Sequence, residues 1–436
     1  MFIFDFPWEI QHFFTDFWLA VNITLLLILG VLVYLALKKP VWANFLVIIL
    51  LPTYLFRSNI FWLPLTYLEI CIWIVFVALI VRMIINKEKV KTHFQYPYKW
   101  PILIILLSAT ISVFISTNLT AAAGLWKAYF VESLMFFIVL INTVKSKKDR
   151  DIILWALGIS TLSISLLAIY QKFTAFGIAE SAWVAPDIRR VNAMFTSPNS
   201  VALYLVPIMM IYIGWMLDDI KNKLFDFGFI SKLLIFILSC LAVVYTVSQG
   251  AWLALAAALF FFLFFTVSKK WTTAIVISLV ILTLLIPQTK NLIISVGIES
   301  PSAQNRFVLW QGSLDYLTSS AKNFIFGAGL FGFSDILDTF RDPLKMEPLI
   351  YPHNIILNFW MEIGLLGLIG FVWLIFDFFE KGFKKLIVGD FGQSRLLLIG
   401  ILAAMITILI HGLIDVPYFK NDLSVLFWII AGLAIL

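Results

Sequence analysis

The sequence predicts an all-α integral membrane protein that crosses the bilayer about 12–13 times, as one membrane domain over residues 1–436. Of the 436 residues, 62% are hydrophobic and only 13% are charged, and the mean hydropathy is +1.00. Soluble domains carry about 25% charged residues, so the composition excludes an ordinary water-soluble globule. The net charge of +6 comes from short basic clusters between apolar runs. Such spacing is typical of membrane topology signals and not of a nucleic-acid-binding surface.

Individual membrane spans are indicated by the length of the apolar runs. A helix that crosses the bilayer needs about 20 apolar residues. Runs of about this length lie near 17–37, 41–56, 60–85, 101–117, 125–143, 151–173, 199–217, 232–247, 250–267, 271–287, 354–378, 396–415 and 420–436. Two of the thirteen, 41–56 and 420–436, are short, so a count of twelve stays open.

The basic clusters predict the orientation in the membrane. Connections on one side hold 20 of the 31 Lys and Arg residues, at 38–39, 82–99, 145–150, 221–232, 269–270 and 381–395. The positive-inside rule places this side in the cytoplasm, which puts the N-terminus outside. Acidic residues occupy the first segment, so we expect no cleavable signal peptide. Cys71 and Cys240 lie within apolar runs, and we expect no disulfide framework.

Two connections on the external side, about 173–199 and 288–352, are longer than the others. The second greatly exceeds a usual connection and is therefore expected to be functional. Residues 302–317 begin with Ser and carry apolar side chains at helical spacing, which predicts an amphipathic helix on the outer face. These side chains are Phe307, Trp310, Leu314 and Leu317. The glycine-rich stretch 327–332 predicts a turn back towards the membrane.

Polar and ionisable residues collect at this external face. Guanidinium groups bind phosphates in bidentate fashion and keep their charge, and a nearby His can take a proton from a hydroxyl at neutral pH. Such a set suits transfer of a glycan from a lipid-linked phosphate or pyrophosphate without a metal or another cofactor. The candidate residues are Arg189, Arg190, Asn199, Arg306, His353, Asn354, His411 and Asp415.

Each candidate also has a structural interpretation. An arginine pair beside the membrane often anchors lipid headgroups, and a His–Asp pair can clamp two helices. A metal site built from His353, His411 and Asp415 is a further alternative that the spacing does not specify. Glu362, nine residues after His353, lies near the opposite helix face and is expected to be a buried packing partner. Behind it, small residues predict close helix packing at Gly364, Gly367 and Gly370.

Several motifs occur in an order that resembles the O-antigen ligase and polymerase family over about residues 189–421. The N-terminal 180 residues are similar only as hydrophobic spans. The motifs are Arg189-Arg190-Val-Asn-Ala-Met-Phe-Thr-Ser-Pro-Asn199, Ser248-Gln-Gly-Ala-Trp252, Asn305-Arg306-Phe-Val-Leu-Trp310, Phe326-Gly-Ala-Gly329, Pro352-His353-Asn354, Glu362-Ile-Gly-Leu-Leu-Gly367 and His411-Gly-Leu-Ile-Asp415-Val-Pro-Tyr-Phe-Lys-Asn421.

The resemblance implies a metal-independent, inverting glycosyltransferase of the GT-C type. It implies that a glycan passes from undecaprenyl pyrophosphate to lipid A-core, to another lipid-linked repeat unit or to protein. The reaction takes place on the outer face of the bacterial cytoplasmic membrane. Arg190 and Arg306 are then expected to hold the pyrophosphate, and His353 to act as general base or to orient the acceptor. Asn199 and Asn354 are expected to support them.

One position departs from the family pattern. Many relatives have Ser-Arg-Gly where this chain has Ser248-Gln249-Gly250, which removes one positive charge from the expected pyrophosphate clamp. Arg189 is the candidate to replace that charge.

Two other functions stay open on sequence alone. A transporter or flippase of lipid-linked oligosaccharide predicts charges through the bilayer midplane and discontinuous helices. A structural partner in an envelope assembly predicts that the polar cluster is dispensable. The clustering of candidate residues at one membrane face favours the enzyme.

Overall fold

The computed structural model describes residues 2–4, 17–60, 63–85, 94–178, 180–187, 189–270, 273–274, 301–337, 339–340, 350–389 and 394–436. These residues are mostly helical. The helices are α1 (Trp18–Lys38), α2 (Pro40–Ile49), α3 (Tyr67–Ile85), α4 (Lys99–Ile115), α5 (Leu119–Thr143, with a π-helical segment at Trp126–Glu132), α6 (Lys147–Thr174), α7 (Pro198–Lys221), α8 (Phe227–Thr246), α9 (Gln249–Thr266), α10 (Pro301–Thr318), α11 (Ala321–Phe326), α12 (Gly332–Leu337), α13 (Ile355–Val388), α14 (Arg395–His411) and α15 (Asn421–Leu433).

The predicted all-α, polytopic membrane fold is confirmed. Among the described residues, eight helices are long and apolar enough to cross a membrane: α1, α3, α5, α6, α7, α8, α9 and α13. Four shorter apolar helices, α2, α4, α14 and α15, coincide with further predicted runs. Apart from residues 273–274, the predicted run at 271–287 lies outside the described residues.

The described part of the chain also contains one small antiparallel sheet, which the all-helical prediction does not include. Its strands are β1 (Phe2–Phe4), β2 (Phe56–Ile60) and β3 (Leu63–Thr66), in the order β1-β2-β3. Strand β2 pairs with β3 so that Arg57 lies opposite Thr66. Strand β3 leads directly into α3, so the sheet lies at the end of the bundle where α3 begins.

Side-chain caps set the starts of two helices that matter for the site. The Ser197 hydroxyl accepts a hydrogen bond from the backbone N–H of Asn199, and Pro198 occupies the first turn of α7. The Asn354 side chain accepts bonds from the backbone N–H groups of Ile356 and Leu357 at the start of α13. Caps of this kind satisfy N–H groups that have no partner inside the helix. They fix where the preceding loops enter the bundle.

Helix α7 lies in the centre of the bundle, with α14 packed closely against it. A Cβ atom added at Gly214 would lie 2.5 Å from the backbone oxygen of Leu396. One added at Gly400 would lie 2.7 Å from the backbone oxygen of Met210. Small residues therefore allow the two backbones to approach each other, as is common between membrane helices. This contact fixes α14, and with it the turn that follows α14.

Helix α13 is interrupted near its first third. Ile363 and Gly364 have non-helical backbone angles, and Gly364 has φ +73°. Two carbonyl oxygens at the break accept hydrogen bonds from other segments of the protein. The backbone N–H of Ala328 donates to the Met361 oxygen at 2.7 Å, and the Ser108 hydroxyl donates to the Ile363 oxygen at 2.8 Å. The glycine-rich turn 327–332 is thereby inserted against the broken helix.

The residues around this break do not form the single packing stripe that the sequence predicts at Gly364, Gly367 and Gly370. Glu362 is fully buried, and its carboxylate accepts a hydrogen bond from the Phe331 backbone N–H at 2.7 Å. It therefore fastens the glycine-rich turn to α13, in line with its expected structural role. Gly370 meets Ile104 of α4, with an added Cβ at 2.9 Å from that side chain. Gly364 is also closely packed, with an added Cβ at 2.6 Å from the Ile325 oxygen, and it provides the positive φ at the break.

Helix α10 confirms the helix predicted over residues 302–317, but its buried face is different. Leu309 and Leu317 are fully buried in a small cluster with α12 and α13. Phe307 and Leu314, predicted to belong to the apolar face, are 51% and 44% exposed. An apolar side chain that faces the membrane surface is exposed on the protein itself, so contact of this face with the membrane stays a prediction.

Candidate active site

The site is organised around the turn after α14, residues 412–415, which we call the central turn. The side-chain amide of Asn354 donates to the backbone oxygen of Leu413 at 3.0 Å. Arg306 Nε donates to the backbone oxygen of Ile414 at 2.8 Å. The long connection, through Arg306, and the start of α13, through Asn354, are thus tied to one short backbone segment.

A His–Asp pair lies at the end of this turn. His353 Nδ1 lies 3.2 Å from Asp415 Oδ1, and Asn199 Nδ2 donates to Asp415 Oδ2 at 3.0 Å. The backbone N–H of Val416 also donates to Oδ1, at 2.8 Å. Burial is the largest single influence and opposes ionisation of Asp415, whereas the hydrogen bond and charge of His353 favour it. Together with smaller contributions, they hold the pKa of Asp415 below its ordinary value of 3.8.

The ionised state of Asp415 determines which nitrogen of His353 carries a proton. An ionised carboxylate only accepts hydrogen bonds, so the Nδ1 of His353 must donate to it. In the neutral imidazole, Nε2 then holds the free lone pair. The side chain of His353 is 24% exposed, so its ring is not sealed inside the protein. This arrangement suits a general base.

His353 is also held in an unusual backbone conformation. Its φ of +49° lies in the left-handed region, which costs free energy in a residue with a Cβ. Its neighbours fix this conformation. The Trp310 indole donates to the Pro352 oxygen at 3.0 Å, and the Ile355 backbone N–H donates to the Gly412 oxygen at 2.6 Å. The surrounding structure therefore imposes the direction of the imidazole.

Two arginines converge near this pair. Arg190 Nε donates to the backbone oxygen of Thr246 at 2.9 Å, and its guanidinium lies 5.9 Å from the Trp183 ring centre. Burial and the positive charge of Arg306 both lower the pKa of Arg190. Burial lowers the pKa of Arg306, whereas the Asp415 carboxylate raises it. Two partly buried guanidinium groups that repel each other form a suitable binding place for an anion.

Arg189, the candidate to replace the charge absent at Gln249, is engaged elsewhere. Its Nε donates to the Val184 oxygen and its Nη1 to the Lys172 oxygen, both at 2.9 Å. It therefore fastens the loop before α7 to the C-terminal end of α6. Arg190 instead binds the oxygen of Thr246, close to Gln249 in sequence. The geometry favours Arg190 as the basic group at this junction.

His411 lies behind the His–Asp pair. It is 2% exposed and packs against Gly250 at the start of α9. A Cβ at position 250 would lie 2.5 Å from His411 Cδ2 and 2.6 Å from Nε2. His411 also interacts electrostatically with Asp415. These contacts favour support of Asp415 over direct substrate contact.

Asn354 has a similar supporting geometry, because its amide oxygen caps α13 and its amide nitrogen binds the central turn.

As for the metal alternative, no group of three or more His, Cys, Asp or Glu side chains within the described ranges could hold a metal ion. His353, His411 and Asp415 form no such set.

One residue near the site was missed as a separate candidate. Lys420, just before α15, has a buried Nζ without a hydrogen-bond partner among the described residues. The nitrogen lies 4.2 Å from the Phe195 ring centre and 5.1 Å from that of Tyr54. In the sequence it ends a Pro-Tyr-Phe-Lys segment beside a short apolar run. That pattern is typical of an interfacial lysine and gives no sign of burial.

The comparisons with known proteins bear on part of this site. The O-antigen ligase family model matches residues 234–372. Arg306, His353 and Asn354 lie within the match, whereas Arg189, Arg190, Asn199, His411 and Asp415 lie outside it. In the comparison with curated proteins, no match was found. Residues 234–372 thus carry an O-antigen ligase domain, the family that the order of the motifs predicts.

Proposed function

We propose that this protein transfers a glycan from undecaprenyl pyrophosphate to an acceptor hydroxyl on the outer face of the bacterial cytoplasmic membrane. The match of residues 234–372 to the O-antigen ligase family supports glycan transfer of the ligase type. The observation that carries the finer proposal is the position of Arg190 and Arg306 close to the His353–Asp415 pair. An anion site and a general base are then neighbours on the same end of the bundle.

The arginines act on the leaving group. A polyprenyl pyrophosphate leaves once its developing negative charge is stabilised, and fixed guanidinium groups do this in a site of low dielectric constant. Arg306 uses Nε for the Ile414 oxygen and Nη1 for Ser302, and Nη2 is not used in these contacts. Arg190 uses Nε for Thr246. Both guanidinium groups thus keep N–H groups for the substrate while their positions are fixed.

His353 acts on the acceptor. Its Nε2 takes the proton of the acceptor hydroxyl while the hydroxyl oxygen forms a bond to the anomeric carbon. The bond between that carbon and the pyrophosphate oxygen breaks, and the pyrophosphate keeps the electron pair. A single displacement of this kind inverts the anomeric configuration. Asp415 stabilises the imidazolium, and Asn199 holds the second carboxylate oxygen.

A transporter of lipid-linked oligosaccharide is the alternative that one observation favours, namely the break in α13. In transporters, carbonyl groups freed by such breaks bind ions or substrate. Here the freed oxygens of Met361 and Ile363 accept hydrogen bonds from Ala328 and Ser108. These bonds fasten the glycine-rich turn and α4 to the break, so the break has a structural role and the enzyme stays the better interpretation.

The test uses the purified protein in detergent or nanodiscs, with a bacterial membrane extract as the source of undecaprenyl-linked glycans and acceptors. Released undecaprenyl pyrophosphate is followed by mass spectrometry. We expect His353→Ala to lower the turnover rate by about 10²–10⁴-fold, the usual contribution of a general base. We expect Arg306→Ala to weaken donor binding, while Lys322→Ala, an exposed cation of the same loop, has no effect.

Each failure points to a different correction. Turnover at the wild-type rate in His353→Ala excludes the base assignment. Unchanged donor affinity in Arg306→Ala excludes the arginine clamp. No release by the wild-type protein with any donor contradicts glycan transfer, and a lipid-flipping assay then tests the transporter.

A further inference from the structure

A small polar cavity lies at the end of the bundle opposite to the candidate active site. Helix α6 connects the two ends, because its first residues line the cavity and Lys172, near its C-terminus, binds Arg189 of the loop before α7. Its 28 residues span about 42 Å, the thickness of a bilayer with its headgroup regions. The cavity therefore belongs to the other membrane face, which the positive-inside rule predicts to be cytoplasmic.

The cavity lies between the start of α6, the segment before α4 and the residues that follow α15. Direct contacts hold these segments together. A Cβ added at Gly432 of α15 would lie 3.1 Å from the Leu140 side chain of α5, and Asn142 of α5 exchanges hydrogen bonds with the backbone of Gln95 at 2.9 and 3.2 Å. The volume is about 160 Å³, below the range of about 300–1,000 Å³ that holds a drug-sized ligand. The cavity therefore suits a single small polar group.

Positive charge lines this cavity. Lys145, Lys147 and Arg150 contribute to the lining, and no acidic residue does so in the part of the chain that the structure describes. Arg150 also interacts with Asp151 and Asp218, so part of its charge is balanced elsewhere. Neither lysine forms an ion pair with a described carboxylate. The two ammonium groups thus provide a surplus of positive charge, which attracts an anion.

The carboxylate nearest in sequence, Asp149, is used in the cap of α6. Its Oδ2 accepts hydrogen bonds from the backbone N–H groups of Lys145 and Ser146 at 3.1 and 3.0 Å. The Lys145 ammonium donates to the Ile141 oxygen at 3.1 Å, which uses one of its three N–H donors and fixes its position. Partial burial lowers the pKa of Lys145, so an anion beside it compensates for lost hydration.

Aromatic side chains beside the cavity mark its depth in the membrane. Tyr96 and Trp100, just before and within the first turn of α4, are 45% and 56% exposed. The Lys99 ammonium lies 4.9 Å from the Trp100 ring centre. Exposed Tyr and Trp side chains are typical of the boundary between membrane and water. Gln95, which precedes Tyr96 in the sequence, lines the cavity at this level, where lipid headgroups carry their phosphates.

We propose that this cavity binds the phosphate group of an anionic membrane lipid, in the leaflet opposite to the candidate active site, with Lys145 and Lys147 as the main contacts. The proposal goes beyond the proposed function and does not depend on glycan transfer. Lysines bind phosphate as point charges, so the site selects anionic over zwitterionic headgroups and not one particular headgroup structure. A lipid bound there ties the start of α6 to the end of α15.

The test measures lipid binding to the purified full chain in a neutral detergent. Phosphatidylglycerol is titrated, with phosphatidylcholine as the zwitterionic comparison, and native mass spectrometry gives the dissociation constant of the first bound lipid. Lys145→Gln/Lys147→Gln should weaken phosphatidylglycerol binding about 25-fold, because each lysine near an anionic headgroup contributes about fivefold. The matched control Lys221→Gln/Lys270→Gln removes the same charge from two exposed lysines of the same predicted face and should bind like the wild type.

Three outcomes overturn the proposal. Wild-type affinity in Lys145→Gln/Lys147→Gln excludes the cavity, and an equal loss in the control variant shows that only the total charge matters. Equal affinity for phosphatidylglycerol and phosphatidylcholine excludes selection by charge. Inorganic phosphate distinguishes the two sources of the anion. Lipid retained in excess phosphate supports a headgroup site, whereas displacement beyond that caused by chloride of equal ionic strength assigns the cavity to free phosphate and overturns the lipid proposal.

A second variant tests the cavity independently. Gln95→Glu places a carboxylate at the lining and keeps the backbone bonds to Asn142. It should weaken phosphatidylglycerol binding at least about fivefold, since the added charge cancels that of one lysine. Folding is checked by size-exclusion chromatography, and wild-type affinity in folded Gln95→Glu contradicts the proposal even if the lysine variant does not fold. Failure of the proposed function leaves this test unaffected, because the titration contains neither glycan nor acceptor.

Discussion

Replacement of Asp415 by Asn changes the charge and donor pattern at the centre of the site while it keeps the side-chain shape. In the wild-type protein three donors converge on the carboxylate, from His353, Asn199 and the backbone of Val416. An amide offers one acceptor oxygen and one NH₂ group. At least one of the three donors must therefore face another donor. If the NH₂ faces His353, the imidazole adopts the tautomer with Nε2 protonated, which cannot act as a base.

The size of the effect follows from the lost charge. A hydrogen bond to an ionised group contributes about 1.5–3 kcal/mol. The imidazolium formed during proton transfer loses this contribution, and about 1.36 kcal/mol corresponds to tenfold in rate. We therefore expect Asp415→Asn to lower the turnover rate by about 10- to 150-fold from this effect alone. Population of the wrong tautomer adds to that loss. The loss caused by His353→Ala, about 10²–10⁴-fold, sets the upper limit.

The release assay measures this with three variants: Asp415→Asn, His353→Ala and the double variant. Residues that act as a unit are not additive, so the double variant should be no slower than His353→Ala. Losses that multiply in the double variant refute the idea that Asp415 acts through His353.

The same substitution tests the electrostatics of folding. Because the pKa of Asp415 is held below 3.8 in the folded protein, the unfolded state binds more protons in acid. The stabilisation is present above that pH and is lost as the pH falls below it. The unfolding temperature of the wild-type protein should therefore fall more steeply below pH 4 than that of Asp415→Asn. Parallel curves contradict the pKa assignment.

Two further substitutions test the packing. Gly250→Ala should displace the His411 ring and lower the turnover rate. The loss of stability should be small, because Ala favours a helix over Gly by about 1 kcal/mol. Gly30→Ala, with open space around the added Cβ, is the matched control in the release assay. Lys232→Met breaks a nearly buried ion pair with Asp219 at 2.6 Å and should destabilise the protein by about 3–5 kcal/mol. Thermal unfolding in detergent should show that adding Asp219→Asn to Lys232→Met restores part of the lost stability. Equal stability of the wild-type protein, the single variant and the double variant contradicts a paired structural role.

The helical bundle is predictable because membrane spans follow from local composition. Each apolar run long enough to cross the bilayer must satisfy its own backbone hydrogen bonds, and a helix does so without help from distant residues. The exceptions arise where distant segments supply hydrogen bonds. The break at Gly364 depends on donors from Ala328 and Ser108, which no local pattern reveals. The buried face of α10 likewise depends on α12 and α13, which the spacing within the helix does not reveal.

The candidate residues could be selected by their chemistry, but their division of labour could not. The sequence groups Asn354, His411 and Asp415 with the substrate-binding residues. The geometry instead engages the Asn354 amide in a helix cap and the Asp415 carboxylate with His353 and Asn199. Whether a polar group is free for substrate depends on which backbone atoms lie beside it. That information appears only when the turn after α14 meets the start of α13.

The site also depends on parts of the chain beyond the segment that carries the family match. His353 lies within residues 234–372, but its carboxylate partner Asp415 and the support from Asn199 lie outside. The two parts are joined by the backbone bond between Ile355 and Gly412, which fixes α13 against the turn after α14. A proton acceptor so constrained works only when both segments keep their relative position. The packing of α7 against α14 therefore contributes to the proposed chemistry as directly as the Pro-His-Asn motif does, because it positions the carboxylate that directs the imidazole.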